Sequence, residues 1–379
     1  MDSTRESGPT GPDAARSSTA EETAAGRTPA DLTTSMRRAF ELARRGPAHG
    51  PNPRVGCVLL SPDGQVLGEG WHRGAGTPHA EPAAVRAAQE AGADTRGATA
   101  VVSLEPCSHT GRTGPCTEVL LAAGVRQVVH AVEDPDPVAA GGAATLRAAG
   151  VEVRGGVLRD EGEDLLRTWL HAVRLGRPWV TLKLAATLDG RVAAADGTSR
   201  WITSRAAREH AHAVRAQVDA IAVGTGTALA DDPALTARDA GGALRAHQPL
   251  RVVLGAREIP ATARLHGPGG ELVQLTTHDV AEALHELGRR QVRHLLVEGG
   301  PTLSSALLRV GLVDELHAYL APVLLGAGPG AVGPLGISTI AEALRLETVS
   351  TARLGPDVLV VARPLPSDRT THRIPTEES

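Results

Sequence analysis

The chain has 379 residues, a net charge of −4 and a sequence pI of about 6.4. That is length for two ordinary domains, with no basic surface to advertise nucleic-acid or membrane binding. Aromatic residues make up only 2 %, so the cores must be built from Ala, Val and Leu, and stacking platforms for nucleic-acid bases are scarce. Three cysteines make no even disulfide framework. With no apolar run near the roughly 18 residues of a membrane span and no apolar signal core, the expected compartment is the cytoplasm.

Residues 1–31 are Ser, Thr, Gly, Pro, Ala and charge, a composition that reads as a disordered leader. A helix is expected over 33–45, with Thr33 to Ser35 as N-cap candidates, Met36, Ala39, Phe40 and Ala43 on one face, and Gly46 as the stop. A hairpin follows, strands 55–60 and 65–71 around Pro62-Asp63-Gly64, and Cys57 within it reads as a buried structural thiol. Residues 80–91 read as a helix that tolerates Pro82 in its first turn, 98–104 as a strand, 117–123 as a helix start and 127–132 as a strand. A short helix ending at Gly150, a strand over 151–153 and a helix over 158–175 complete an α/β domain spanning 32–177. The boundary falls at Gly176-Arg177-Pro178. A second α/β domain, 178–364, is expected to hold strands at 179–184, 220–223, 251–254, 294–297 and 357–361, helices at 203–218 and 303–310, and a surface loop over 238–249. Residues 365–379 read as a flexible tail, and no internal repeat is present.

Chemistry concentrates at Thr77-Pro78-His79-Ala80-Glu81, Glu105-Pro106-Cys107 and Cys116. One imidazole and two thiols supply three bonds to a tetrahedral zinc and leave the fourth position open, where bound water has a pKa of about 7. Glu81 is then free to move protons, the arrangement of zinc-dependent nucleobase deaminases. A structural zinc would fill all four positions with protein ligands; His109 is the nearest candidate for a fourth and is set aside. Eight residues, 108 to 115, separate the two cysteines where the usual pattern has two. That spacer carries Arg112 between glycines, a means of gripping a phosphate, and so favours a small phosphorylated substrate over a free base.

Pro51-Asn52-Pro53-Arg54-Val55-Gly56, Gly70-Trp71-His72, His79-Ala80-Glu81 and Leu104-Glu105-Pro106-Cys107-Ser108-His109 resemble the deaminase half of the RibD family of bifunctional riboflavin-biosynthesis enzymes. The long cysteine spacer with Gly111-Arg112-Thr113 is similar to that family too. The resemblance implies a cytidine-deaminase-like α/β/α fold. It also implies hydrolysis of the 2-amino group of a diaminopyrimidinone bearing a phosphoribosylamino group, with Asn52, His72 and Arg112 at the substrate. The chain departs from the family at Pro82-Ala83, where Val-His is common, and at Asp134-Pro135-Asp136-Pro137, where Asp-Pro-Asn-Pro is usual.

The second half offers Lys183 on a strand, Asp189-Gly190-Arg191, Gly224-Thr225-Gly226-Thr227, and Glu298-Gly299-Gly300-Pro301 leading into a helix start that would cradle a phosphate. Leu229 at the third glycine position excludes a Rossmann fingerprint. Together these stretches resemble the reductase half of the same family, so the resemblance spans roughly 33–364. It implies a dihydrofolate-reductase-like fold that uses NADPH. Ser199, Arg215, Asp231, Leu235, Arg238 and Glu298 would meet substrate. Ala185, Trp201, Thr227 and the run Gly300, Pro301, Thr302, Leu303, Ser304, Ser305 and Ala306 would meet NADPH. Position 185 is commonly glycine in relatives. Lys183, Asp231 and Glu298 are the ionisable groups expected around the carbon that accepts hydride. The resemblance implies a homo-oligomer as well. Two other readings compete: a nucleic-acid editing deaminase with an accessory module, opposed by the acidic balance and few aromatics, and a non-enzymatic regulator, opposed by the intact His79, Glu81, Cys107 and Cys116.

Overall fold

Two sheets, one in each half, order the chain. The structure, a computed structural model, describes residues 29–109 and 114–365. Helix α1 (Pro29–Arg44) begins four residues before the expected start. Proline at a first helical position has its φ preset and needs no N–H there, and Leu32 is buried with Met36 and Phe40. The rest of the expected leader, 1–28, lies outside the described residues, as do 366–379.

The first sheet collects β1 (Gly56–Leu60), β2 (Val66–Trp71), β3 (Thr99–Leu104), β4 (Gln127–Val132) and β5 (Glu152–Arg154) in the order β2-β1-β3-β4-β5. β1 runs antiparallel to β2 and β3, and the remaining pairs are parallel. Both β1 and β3 are buried along their whole length, as strands covered on both faces must be. The covering helices are α1, α2 (Ala80–Glu90), α3 (Cys116–Ala122), α4 (Gly142–Ala148) and α5 (Arg159–Leu175). Glycines let α2 lie directly on β2: a Cβ on Gly70 would stand 2.3 Å from the Ala80 carbonyl oxygen and 2.4 Å from the Ala84 nitrogen. Helix α2 carries the first metal-type residue at its start, so this contact sets where that residue stands. Cys57 is fully buried, as expected, and burial pushes its thiol well above the ordinary range.

The second sheet has eight strands in the order β12-β13-β11-β6-β10-β7-β8-β9. They are β6 (Trp179–Thr187), β7 (Ala220–Gly224), β8 (Leu250–Leu254), β9 (Leu272–Leu275), β10 (His294–Val297), β11 (Glu315–Ala321), β12 (Leu346–Leu354) and β13 (Asp357–Pro364). From β11 to β9 the neighbours are parallel, while β13 is antiparallel to β11 and β12. Helices α6 (Arg205–Arg215), α7 (Thr225–Asp231), α8 (Val280–Arg289) and α9 (Pro301–Arg309) pack around it. Ser204 caps α6 through Ala207 N, so the helix begins two residues after the expected start. Among the described residues no helix is long and apolar enough to cross a membrane.

The halves touch where the loop before β1 meets the start of β10. Asp219 accepts hydrogen bonds from Gly50 N on one side and from Arg293 N and His294 N on the other (2.9 and 2.8 Å). Pro51 O accepts from Trp169 Nε1 of α5 and from Arg293 Nε, at 3.2 and 3.4 Å. The His49 and His247 rings stack across the same seam, 3.5 Å apart.

Candidate functional site

His79 is the N-cap of α2, Cys116 opens α3, and Cys107 follows β3. Three separate chain segments are thereby brought to one point. His79 Nδ1 is 3.3 Å from Cys116 Sγ and 3.6 Å from Cys107 Sγ, and all three ligand atoms lie within 4.8 Å of one another. A tetrahedral zinc with Zn–N near 2.0–2.1 Å and Zn–S near 2.3 Å sets nitrogen and sulfur roughly 3.6 Å apart, so the donor set fits zinc with shifts of a few tenths of an ångström. A hydrogen bond from Cys116, then one from His79, overcome burial and draw the Cys107 thiol down, while the same contact with Cys107 and burial push the Cys116 thiol up. A thiolate is the ligand zinc takes. His109 lies on the cavity wall but outside the metal group.

Glu81 is 2 % exposed and its Oε2 has no hydrogen-bond partner among the described residues. Burial pushes its carboxyl up to about 7. An unpartnered buried oxygen costs free energy that a ligand recovers, which leaves Oε2 available to a substrate or water. It faces a cavity of about 320 Å³ shared with His79, Cys107, Asn52 and His72. His72 Nδ1 donates to Pro78 O at 3.2 Å, which leaves Nε2 to accept from Asn52 Nδ2 at 3.0 Å. Burial lowers the His72 pKa, in keeping with this neutral form. Arg112 lies outside the described residues. Further residues complete the wall, and Gln291 and Arg293 among them carry no mark in the sequence. Glu105 accepts from Asp134 N and Ala143 N at 3.2 and 2.8 Å and so ties down the loop of Asp134 and Asp136, while Gln291 and Arg293 come from the other half.

In the second half, β6 and β10 pair in parallel with Leu182 opposite Val297, which sets Glu298 beside Lys183. Lys183 Nζ is 3.4 Å from Glu298 Oε2, and Arg215 of α6 grips the same carboxylate with two bonds of 2.7 and 2.8 Å. Burial would raise the Glu298 pKa, but Arg215 and Lys183 together override it and hold the carboxyl well below its usual range. Arg215 also donates to Thr236 O at 3.0 Å, and Arg238 to Thr236 Oγ1 at 3.0 Å. Asp231 ends α7 exposed, and no hydrogen bond or ion pair joins its carboxylate to Lys183 or Glu298 among the described residues. Ser199 is half-buried in the loop after β6. Leu235, with φ of 49°, sends its side chain into the core beside Ile221 and Val253, which leaves its backbone for a ligand.

Of the residues expected at NADPH, Thr227 and the run from Gly300 to Ala306 fall around the start of α9. Gly300 is its N-cap, Pro301 its first residue, and Gly300 N donates to Thr227 Oγ1 of α7 at 3.2 Å. A Cβ on Gly299 would stand 2.9 Å from the Leu303 side chain and one on Gly300 3.3 Å from Thr227 Oγ1, so the glycines permit a close approach at a helix start suited to phosphate. Thr302 and Ala306 are in α9, Leu303, Ser304 and Ser305 are buried in it, and Ser305 Oγ accepts from Gly333 N at 2.8 Å. Ala185 lies on β6, and Trp201 is exposed with the Arg208 guanidinium 4.5 Å over its ring. This backbone cradle fits the phosphate part of a dinucleotide.

The chain is therefore built as a zinc-type deaminase joined to a second α/β catalytic domain. Residues 30–132 match the cytidine and deoxycytidylate deaminase zinc-binding region, and 178–360 the RibD C-terminal domain. It is 49 % identical to the riboflavin biosynthesis protein RibD of Mycobacterium tuberculosis over 82 % of this chain and 90 % of that one. With RibD of Escherichia coli the identity is 42 %, over 85 % and 96 %. The structure of Acinetobacter baumannii RibD superposes with a TM-score of 0.82 at 38 % identity, covering 89 % of this chain and 100 % of that one. A diaminohydroxyphosphoribosylaminopyrimidine deaminase/5-amino-6-(5-phosphoribosylamino)uracil reductase of Thermotoga maritima gives 0.80 at 33 %, covering 89 % and 99 %. The chain belongs to the RibD family, the bifunctional enzymes of riboflavin biosynthesis. Both domains of that family are present, a zinc-binding deaminase followed by a dihydrofolate-reductase-like reductase that uses NADPH.

Proposed function

We propose that the first domain, 32–177, hydrolyses the 2-amino group of a diaminopyrimidinone bearing a phosphoribosylamino group, and that the second, 178–364, reduces the ribosyl chain of the product to ribityl. The observation that carries the first step is the buried Glu81 Oε2, without a hydrogen-bond partner among the described residues, in one cavity with His79 and Cys107, which group with Cys116 as metal-type ligands. Zinc held by those three side chains supplies the Lewis acidity that makes water a nucleophile near neutral pH. Glu81 takes the proton of the attacking water and passes it to the leaving amine, which departs as ammonia. Asn52, its amide nitrogen engaged by His72, turns its oxygen to a ring N–H of the pyrimidine. Arg112 contributes to the phosphate.

NADPH held along Gly300 to Ala306, with Ala185, Trp201 and Thr227, supplies the hydride. Glu298 stays ionised between Arg215 and Lys183, so it orients Lys183 rather than donating a proton. Lys183 then delivers the proton to the ring-opened, imine-like sugar. Ser199, Asp231, the Leu235 backbone and Arg238 contact the rest of the substrate. The chain works in the cytoplasm as a homo-oligomer on small molecules and not on nucleic acid, consistent with its charge of −4 and the exposed β12 edge.

Glu81→Gln is the direct test. Ammonia release should vanish while zinc content and NADPH consumption on supplied deaminated substrate persist; full deamination by the variant would end the proton-shuttle role. No loss of the nicotinamide absorbance with deaminated substrate would end the reductase role.

A further inference from the structure

We infer that Arg293, a residue of the reductase half, is a substrate-binding residue of the deaminase site and grips the substrate's phosphate. The inference rests on the phosphorylated-pyrimidine reading above. Arg293 immediately precedes β10, and with Gln291 it lines the cavity that holds Glu81, Asn52 and His72. The other ionisable side chains on that wall are histidines, cysteine or the acids Glu81, Glu105, Asp134 and Asp136; among the described residues Arg293 is its one Lys or Arg. A cavity with that many acids repels a dianionic phosphate unless a cation meets it, and a guanidinium meets it with paired donors.

The side chain is also left free to do so. Its hydrogen bond to Pro51 O uses Nε, and among the described residues no hydrogen bond or ion pair closes on the terminal amino groups. Asp219 and then Asp136 attract it, neither at ion-pair distance from the guanidinium. Its backbone is fixed by Asp219, whose other oxygen holds Gly50 N, two residues before Asn52. One carboxylate of the reductase half thus sets the register between Arg293 and the loop that presents Asn52. Gln291 adds an independent sign. It occupies the left-handed position that ends α8, φ 61°, where glycine is usual, and the residue kept there lines the cavity. The deaminase cavity is therefore completed by the neighbouring domain of its own chain.

The experiment compares zinc-loaded full-length enzyme, Arg293→Ala and Arg293→Lys on the phosphorylated substrate and on its phosphatase-treated counterpart, by ammonia release. Zinc content and NADPH-dependent reduction of supplied deaminated substrate report the fold. Loss of one or two charge-assisted hydrogen bonds should raise KM for the phosphorylated substrate about 10- to 100-fold in Arg293→Ala, with kcat little changed and the dephosphorylated substrate barely affected. Arg293→Lys should recover part of the loss. If Arg293→Ala keeps the wild-type preference for the phosphorylated substrate, or loses both substrates equally, the inference is overturned and the phosphorylated-substrate reading stands. If wild-type enzyme itself shows no preference, that reading falls, and the inference with it.

Discussion

Glu298→Gln isolates what the carboxylate does in the reductase site. The change removes one charge and leaves Arg215 and Lys183, only 16 % and 21 % exposed at their side chains, facing a neutral amide. Removing one partner of a buried pair costs about 3–5 kcal/mol, and the residual exposure places this case near the lower figure. At roughly 2–4 °C per kcal/mol for a domain of this size, the reductase transition in calorimetry should fall by about 6–12 °C. Lys183→Met makes the contrast, because the two-bond grip of Arg215 on Glu298 survives. It should cost about 1.5 kcal/mol, the low end for a hydrogen bond to a charged group, and yet abolish NADPH consumption. The pH behaviour has a definite sign. A carboxyl depressed in the fold contributes stability that is complete above the unfolded value of about 4.3 and is lost only as pH falls through the depressed value, so the wild-type advantage over Glu298→Gln should persist across the neutral range. A reductase transition moved by less than about 2 °C in Glu298→Gln, with reduction intact, would refute the anchoring role. Unimpaired reduction in Lys183→Met would refute the proton-delivery role.

Three further outcomes follow from the geometry. Gly70→Ala drives a Cβ to 2.3 Å from the Ala80 carbonyl, overpacking worth about 1–3 kcal/mol; zinc content and ammonia release should fall together while reduction persists, and unaltered deamination would contradict the packing argument. Asp279→Ala removes the side-chain bonds to Ala281 N and Glu282 N that cap α8, so urea denaturation should show a loss of about 1 kcal/mol with both activities unchanged. His294, bonded to Thr181 Oγ1, is pushed down to about 4 by burial. Below its unfolded value near 6.5 the unfolded chain binds the extra proton, so stability should decline as pH falls from 6.5 toward 4, by at most about 1.4 kcal/mol per unit. A melting temperature that stays flat in His294→Gln and falls in wild type would confirm the source.

How much was legible beforehand depended on how local the signal was. The metal group was readable because a histidine and a carboxylate two residues apart at a helix start, and a Pro-Cys at a strand end, carry their geometry with them. The buried strands β1 and β3 were readable as apolar runs. By contrast α7, α8, β9, β11 and β12 had no expectation. β12 is exposed at eight of its nine residues and shows no alternation, because its stabilisation comes from pairing with β13 rather than from a buried face. Only the family resemblance points to Arg215 as a substrate contact; its grip on Glu298 spans 83 positions of sequence. Arg293 meets Pro51 across 242 positions, and nothing near residue 293 distinguishes it from any surface arginine. Only the docking of one domain on the other gives it a role. Leu235 shows the opposite limit: matched as a contact, it spends its side chain on the core.

That docking also decides how the two reactions communicate. The deaminase cavity borrows Arg293 just before β10, whereas Glu298 stands just beyond its last residue. Five residues of extended chain put these positions roughly 16 Å apart along the strand, at opposite edges of the parallel sheet. Among the described residues the β-strands lie between these two positions, so on the proposed assignment of the sites the deaminated product is expected to leave its cavity and reach the second site through solvent. On that reading covalent linkage supplies equal amounts of two catalysts and part of the wall of the first cavity. With isotopically labelled diaminopyrimidine substrate, zinc and NADPH, an excess of unlabelled deaminated intermediate should dilute the label in the ribityl product in proportion to its concentration. Retention of full label in that product would mean that the intermediate is passed on without release and would refute the solvent route.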